Sequence, residues 1–218
     1  MRPSFYVVAG PNGVGKSTAA FQYLPSGIEL INSDDIARQI RLEQSHQEVV
    51  QRMTEEESQR RIKGHLASRA SFAVETNLHE VATWQYFLAI REAGYVFRLL
   101  FFCTSSLITL NNRVRNRQLQ GGHFVREDIV RGRYVAGLSL LNHFFNEPDI
   151  VTLFDASDLL ETVYQRVNGQ VLIQKDPLPT WITTGLPTHF SFTPPLEIPA
   201  PTSVDEMRAQ YKQRPNDL

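Results

Sequence analysis

The segment Gly10-Pro11-Asn12-Gly13-Val14-Gly15-Lys16-Ser17-Thr18 constrains this chain more than any other part of it. It fits the pattern G-x-x-x-x-G-K-[ST] and directly follows the short apolar run Ser4-Phe5-Tyr6-Val7-Val8-Ala9. That run reads as a buried strand, and the residues from Lys16 to about Leu24 read as a helix. Pro25-Ser26-Gly27 ends the helix. A strand, a glycine-rich turn and a helix in this order let backbone N–H groups close around a phosphate, with the positive end of the helix behind them. Lys16 is then expected to reach the β- and γ-phosphates of a purine nucleotide, ATP, and the Ser17 hydroxyl to bind Mg²⁺. Gly10, Pro11, Asn12, Gly13, Val14, Gly15, Lys16, Ser17 and Thr18 are all candidate nucleotide-binding residues.

The rest of the first 174 residues alternates strand and helix. Ile28 to Ile31 is a second strand, followed by a polar helical region from about Asp34 to Ala70. Ser71 to Glu75 is a third strand. Val81, Trp84, Phe87 and Leu88 then recur at helical spacing before Gly94, a C-cap candidate. Tyr95 to Cys103 is the most apolar run and suits the centre of a sheet covered on both faces. Helices are expected over 107–119 and 127–145, and a strand over 150–154. Asn168-Gly169 sits between two alternating segments, which is a hairpin signal. These elements predict an α/β fold: a three-layer sandwich of the P-loop NTPase type, with a mostly parallel central sheet and helices on both faces. Eight of the twelve prolines fall between Pro177 and Pro215. Residues 1–174 are therefore expected to form the nucleotide-binding domain and 175–218 a Pro-rich C-terminal extension, with a short helix over 204–213.

Composition narrows the function classes. Lys+Arg is 22 and Asp+Glu is 23, a formal net charge of −1, which argues against a bulk nucleic-acid binder. Only four of the 22 basic residues are lysines, and arginine suits fork-like recognition of phosphate. The one cysteine, Cys103, excludes an internal disulfide and fits a reducing, cytoplasmic setting. No apolar run approaches the roughly 18 residues that span a bilayer. A transport ATPase would carry an L-S-G-G-Q type signature, and a GTPase an N-K-x-D motif; neither is present.

Several further segments, taken in order, resemble the zeta-toxin family of P-loop kinases. They are the glycine motif, Ile31-Asn32-Ser33-Asp34-Asp35-Ile36-Ala37, Ser71-Phe72-Ala73-Val74-Glu75-Thr76-Asn77, Arg113-Val114-Arg115-Asn116-Arg117, Gly121-Gly122-His123, Arg133-Tyr134 and Phe154-Asp155-Ala156-Ser157. The resemblance covers about residues 7–157. It implies a kinase that phosphorylates a sugar hydroxyl, typically the 3′-OH of the N-acetylglucosamine part of UDP-N-acetylglucosamine, and that an antitoxin protein can hold inactive. It also implies that Asp34 is the general base, that Glu75 holds the acceptor sugar or orients the base and metal, and that lid arginines lie near residues 113–117. Where the family commonly has proline after Gly-Gly-His-x-Val, this chain has Arg126.

The residues permit independent readings. A carboxylate at Asp34, beyond the carboxyl edge of a strand, can accept a proton from an attacking hydroxyl or can cap the next helix. Glu75 ends its strand on the same edge, as a site residue, a solvated carboxylate or an arginine's partner. Thr76 and Asn77 offer hydrogen bonds to a sugar or caps for a helix near Leu78. Arg113 and Arg117 share a helix face, which calls for an anion between them or for answering carboxylates. Arg131 and Arg133 are further phosphate or structural candidates. Gly121-Gly122-His123 would be the turn of a lid. His123, Arg126 and Asp155 have no assigned role. The same residues would serve a kinase of another sugar, nucleotide or nucleoside, and a non-catalytic nucleotide-binding module remains the alternative class.

Overall fold

The computed structural model describes residues 2–119 and 125–190. The N-terminal apolar run is β1 (Ser4–Ala9), and the glycine turn leads from it into α1 (Lys16–Ala19). β2 (Leu30–Asn32), α2 (Ser33–Ile40), α3 (Gln47–Ser68), β3 (Phe72–Thr76), α4 (Val81–Glu92) and β4 (Val96–Cys103) follow. Then come α5 (Leu107–Leu119), α6 (Glu127–Phe144), β5 (Ile150–Asp155), β6 (Glu161–Val167), β7 (Gln170–Gln174) and α7 (Thr180–Gly185). The seven strands form one sheet in the order β2-β3-β1-β4-β5-β6-β7. The first five are parallel; β6 and β7 run antiparallel. The fold is thus the expected α/β sandwich with a mostly parallel sheet.

Alternation along β1 and β4 builds both layers. Phe5 and Val7 with Phe97, Leu99 and Phe101 enter one core, where α4 supplies Trp84 and Phe87. Val8, Leu100 and Phe102 enter the other, against Leu110 and Val114 of α5 and Val130 of α6. The Phe5 and Phe97 rings stack at 4.7 Å and the Phe102 and Phe154 rings at 4.5 Å. Each of these fully buried rings contributes about 1.5–3 kcal/mol of burial energy. β4 is the middle strand of the seven, as its composition predicts.

Several boundaries differ from the sequence expectation. The helix after the glycine turn is α-helical only to Ala19 and tightens into a 3-10 turn over Ala20–Gln22, a common ending ahead of a proline. The long polar region is two helices, because the Ile40 carbonyl accepts from both Glu43 and Gln44 and turns the chain. α4 starts at Val81, not near Leu78, since Leu78 sits at φ +54 and cannot begin a helix. The hairpin turn follows expectation: Asn168 and Gly169 are both left-handed, at φ 48 and 85. After β7, Trp181, Ile182, Leu186 and Phe190 pack into the β1–β4 core, so the chain from residue 175 to 190 lies against the sheet. The expected helix over 204–213 and the Gly121-Gly122-His123 turn lie outside the described residues.

Gly10 fixes how closely the glycine turn approaches β4. Its φ is +138, and a Cβ there would lie 2.0 Å from the Phe102 carbonyl oxygen. We therefore expect Gly10→Ala to lose about 3 kcal/mol or more in chemical denaturation, from backbone overlap. Gly64→Ala, inside α3 with open space around its Cβ, should gain about 1 kcal/mol.

Candidate active site

Five parallel strands end at one edge of the sheet, and their carboxyl-end loops enclose a cavity of about 730 Å³. The size suits a small-molecule ligand. β1 lies between β3 and β4, so the chain leaves β1 where connections run to opposite sides, the usual crevice of an open α/β sheet.

The glycine turn forms the cavity floor. Gly13 presses against α5, where a Cβ would meet the Leu110 carbonyl at 2.7 Å. Val14 is buried in the second core and anchors the turn. Gly15, at φ +98, opens α1. Lys16 is buried, and its Nζ donates to the Gly10 carbonyl at 2.7 Å, the Pro11 carbonyl at 3.1 Å and Asn77 Oδ1 at 3.1 Å. Burial lowers the Lys16 ammonium to about 8, against the opposing pull of Glu75 and Asp34. Thr18 also lines the cavity.

The second wall is acidic and polar. The Ser17 hydroxyl donates to Glu75 Oε1 at 2.8 Å, and Asn32 Nδ2 donates to Glu75 Oε2 at 2.9 Å. Burial pushes the Glu75 carboxyl up, opposed by Lys16 and by the Ser17 hydrogen bond. Asp34 stands beside this pair in the first turn of α2. It does not cap that helix. Asn32 does, accepting the Asp34 N–H at 2.8 Å, which leaves the Asp34 carboxylate facing the cavity. Asp35 is a first-turn carboxylate paired with Arg38 at 3.0 Å. Thr76 Oγ1 accepts the Leu78 N–H and shapes the turn, so it caps no helix.

Three arginines supply the opposite wall. Arg117 reaches Asp34 at 3.6 Å, so a carboxylate answers one of the two α5 arginines. Arg113 faces the cavity and donates through Nη1 to the Ala156 carbonyl at 3.1 Å. It forms no ion pair among the described residues. Arg133, from α6, also lines the cavity and holds the glycine turn by donating to Asn12 Oδ1 at 3.1 Å. Arg115 and Arg131 are absent from the cavity lining, and Arg126 pairs with Asp128 at 2.6 Å. His123 lies outside the described residues. Asp155 accepts hydrogen bonds from Ser157 and from the Trp181 indole and does not line the cavity. Among the lining residues not singled out as site residues in the sequence are Asn32, which holds Glu75, and His79, whose imidazole is lowered by burial and by Arg133. Asn32 sits inside a quoted segment; nothing in the pattern marks His79.

A buried cation beside two arginines that form no ion pair among the described residues suits this cavity to an anion. Phosphates near Lys16 would favour its charged form, so binding should take up a proton where the free amine has lost one. We expect ATP affinity to fall above about pH 8, approaching tenfold per pH unit, with buffer-dependent binding enthalpy in calorimetry. A flat affinity from pH 7 to 9.5 would contradict this. The effect on folding has the opposite sign. A lysine at about 8 folded and 10.5 unfolded costs stability below about pH 8, and that cost fades as pH rises between the two values.

No curated protein matches the chain significantly. Solved structures do. A chain of the native AvrRxo1-ORF1:ORF2 complex aligns at a TM-score of 0.63 and 16% identity, over 97% of this chain and 75% of that one. The complex with ATP gives 0.62 at 17% identity, over 79% of this chain and 60% of that one. In that alignment, as in the sulphate form at 62%, the match spans less than two thirds of the longer chain. A chain of the PezAT chromosomal toxin-antitoxin system of Streptococcus pneumoniae aligns at 0.56 and 12% identity, over 97% of this chain and 85% of that one. At such identities the likeness is one of fold. The sequence model described as the AAA domain matches residues 6–136, more than half of the chain and every residue of the cavity wall, so the chain belongs to the AAA domain family.

Proposed function

We propose that the protein is an ATP-dependent kinase that transfers the γ-phosphoryl group to a sugar hydroxyl, with the 3′-OH of UDP-N-acetylglucosamine as its acceptor. One observation carries this reading. A single cavity opposes a cationic floor and wall, Lys16, Arg113 and Arg133, to a carboxylate wall, Asp34 and Glu75. The first suits a polyphosphate. The second suits a hydroxyl that must lose a proton.

The roles follow from position. The glycine turn and Lys16 would hold the β- and γ-phosphates, and Arg113, Arg117 and Arg133 would stabilise charge on the transferring group. Asp34 would accept the proton of the attacking hydroxyl as its oxygen bonds to the γ-phosphorus and the bond to the β-phosphate oxygen breaks, leaving ADP. Arg117, which pairs with Asp34, would be drawn to the phosphate. Asn77 and Glu75 would orient the sugar.

Mg²⁺ fits the donor set: the Ser17 hydroxyl and the Glu75 carboxylate stand 2.8 Å apart at the edge of the cavity. Among the described residues no cluster of three His, Cys, Asp or Glu side chains could cage an ion alone, so phosphate oxygens would complete the shell. When bound, the ion neutralises charge on the β- and γ-oxygens.

A protein partner over the cavity belongs to the same proposal; two of the solved assemblies of similar fold are AvrRxo1-ORF1:ORF2 and PezAT. Among the described residues no helix is long and apolar enough to cross a membrane.

The test is ATP turnover with and without UDP-N-acetylglucosamine. We expect sugar-dependent turnover with a phosphorylated sugar product, reduced about 10²–10⁴-fold by Asp34→Asn. Turnover that ignores the sugar but responds to another sugar or a nucleoside would replace the acceptor. Turnover untouched by Asp34→Asn would remove the base.

A further inference from the structure

The chain past residue 175 has no part in the chemistry above, yet it reaches the loops that frame the cavity. Trp181 is fully buried, with its ring against Phe101. Its two N–H groups grip two different strand ends. The backbone N–H donates to Ser105 Oγ at 3.2 Å, just past β4, and the indole Nε1 donates to Asp155 Oδ1 at 2.9 Å, the last residue of β5. The same Asp155 oxygen accepts from Ser157 at 3.0 Å, and Ser157 meets Thr104 Oγ1 at 3.0 Å. Tyr134 of α6 donates to the Thr104 carbonyl at 3.1 Å. The loops after β4 and β5 are thus tied to each other and to α7 and α6.

Between Asp155 and Ser157 lies Ala156, whose N–H donates to the Cys103 carbonyl at 2.8 Å. Its carbonyl is the acceptor that holds Arg113 Nη1. A guanidinium on a long side chain has many rotamers, and one fixed acceptor removes much of that freedom. We propose that Trp181 is a positioning residue: by clamping the ends of β4 and β5 it fixes the Ala156 carbonyl, which aims Arg113 into the phosphate cavity. This rests on the reading of that cavity as an ATP site. It also gives the segment after residue 174 a task in binding, through Asp155, a residue that touches no cavity surface itself.

The experiment is calorimetric titration of MgATP into the full chain and its variants, with melting temperatures measured in parallel. Trp181→Phe keeps the ring and removes the indole N–H. It should weaken ATP binding about fivefold, the worth of one buried hydrogen bond. Arg113→Ala should weaken it about tenfold or more. If Trp181 acts through Arg113, the double variant binds within about twofold of Arg113→Ala alone. Asp155→Ala should repeat the loss independently of any folding defect at Trp181. Asp155→Asn, which keeps an oxygen acceptor for the indole, should restore binding to within about twofold of wild type. Losses that multiply in the double variant, wild-type affinity in Trp181→Phe, or equal losses in both Asp155 variants would each overturn the clamp alone. A wild-type chain that binds no MgATP would overturn the reading of the cavity and the clamp with it.

Discussion

Everything at this sheet edge depends on one buried ammonium. Lys16 lies where water is largely excluded, and its contacts are two carbonyls of its own turn and an amide oxygen. Among the described residues it forms no ion pair. A buried cation with dipolar partners alone is costly, which is why burial lowers its proton affinity. An arriving polyphosphate would supply the missing negative charge. The turn that holds Lys16 is fixed in turn by Gly10 against β4, Gly13 against α5 and Asn12 under Arg133.

The sheet order spreads the remaining groups on either side of that point. β3 and β2 carry Glu75 and Asn32 and lead to Asp34; β4 and β5 lead to the loop that carries Ala156 and so to Arg113. Arg113 and the carboxylates Asp34 and Glu75 are therefore separated across β1. The pairing of Arg117 with Asp34 spans the gap, so the two sides are already coupled without a ligand.

The sequence made the strands, the glycine turn and most cavity residues legible, because each depends on local pattern: apolar alternation for β1 and β4, glycine spacing for Gly10 to Ser17, and a carboxylate one residue before the end of β3 for Glu75. Contacts that join distant segments were not legible. The break between α2 and α3 hinges on bonds to the Ile40 carbonyl, and no glycine or proline marks it. That Asn32 and not Asp34 caps α2 is a matter of side-chain rotamer. Arg133 meets Asn12 across 121 residues, and Trp181 meets Asp155 across 26. Proline density marked residues 175–218 as an extension and gave no sign that Trp181, Ile182, Leu186 and Phe190 pack into the core.

The most direct measurement of the central claim, that Lys16 anchors a polyphosphate, is calorimetric titration of MgATP into wild type and into Lys16→Met, which has a side chain of similar length and no charge. The claim requires one site per chain and a loss of about a hundredfold in the variant. Equal affinity in the two proteins, or no binding to wild type, would contradict it.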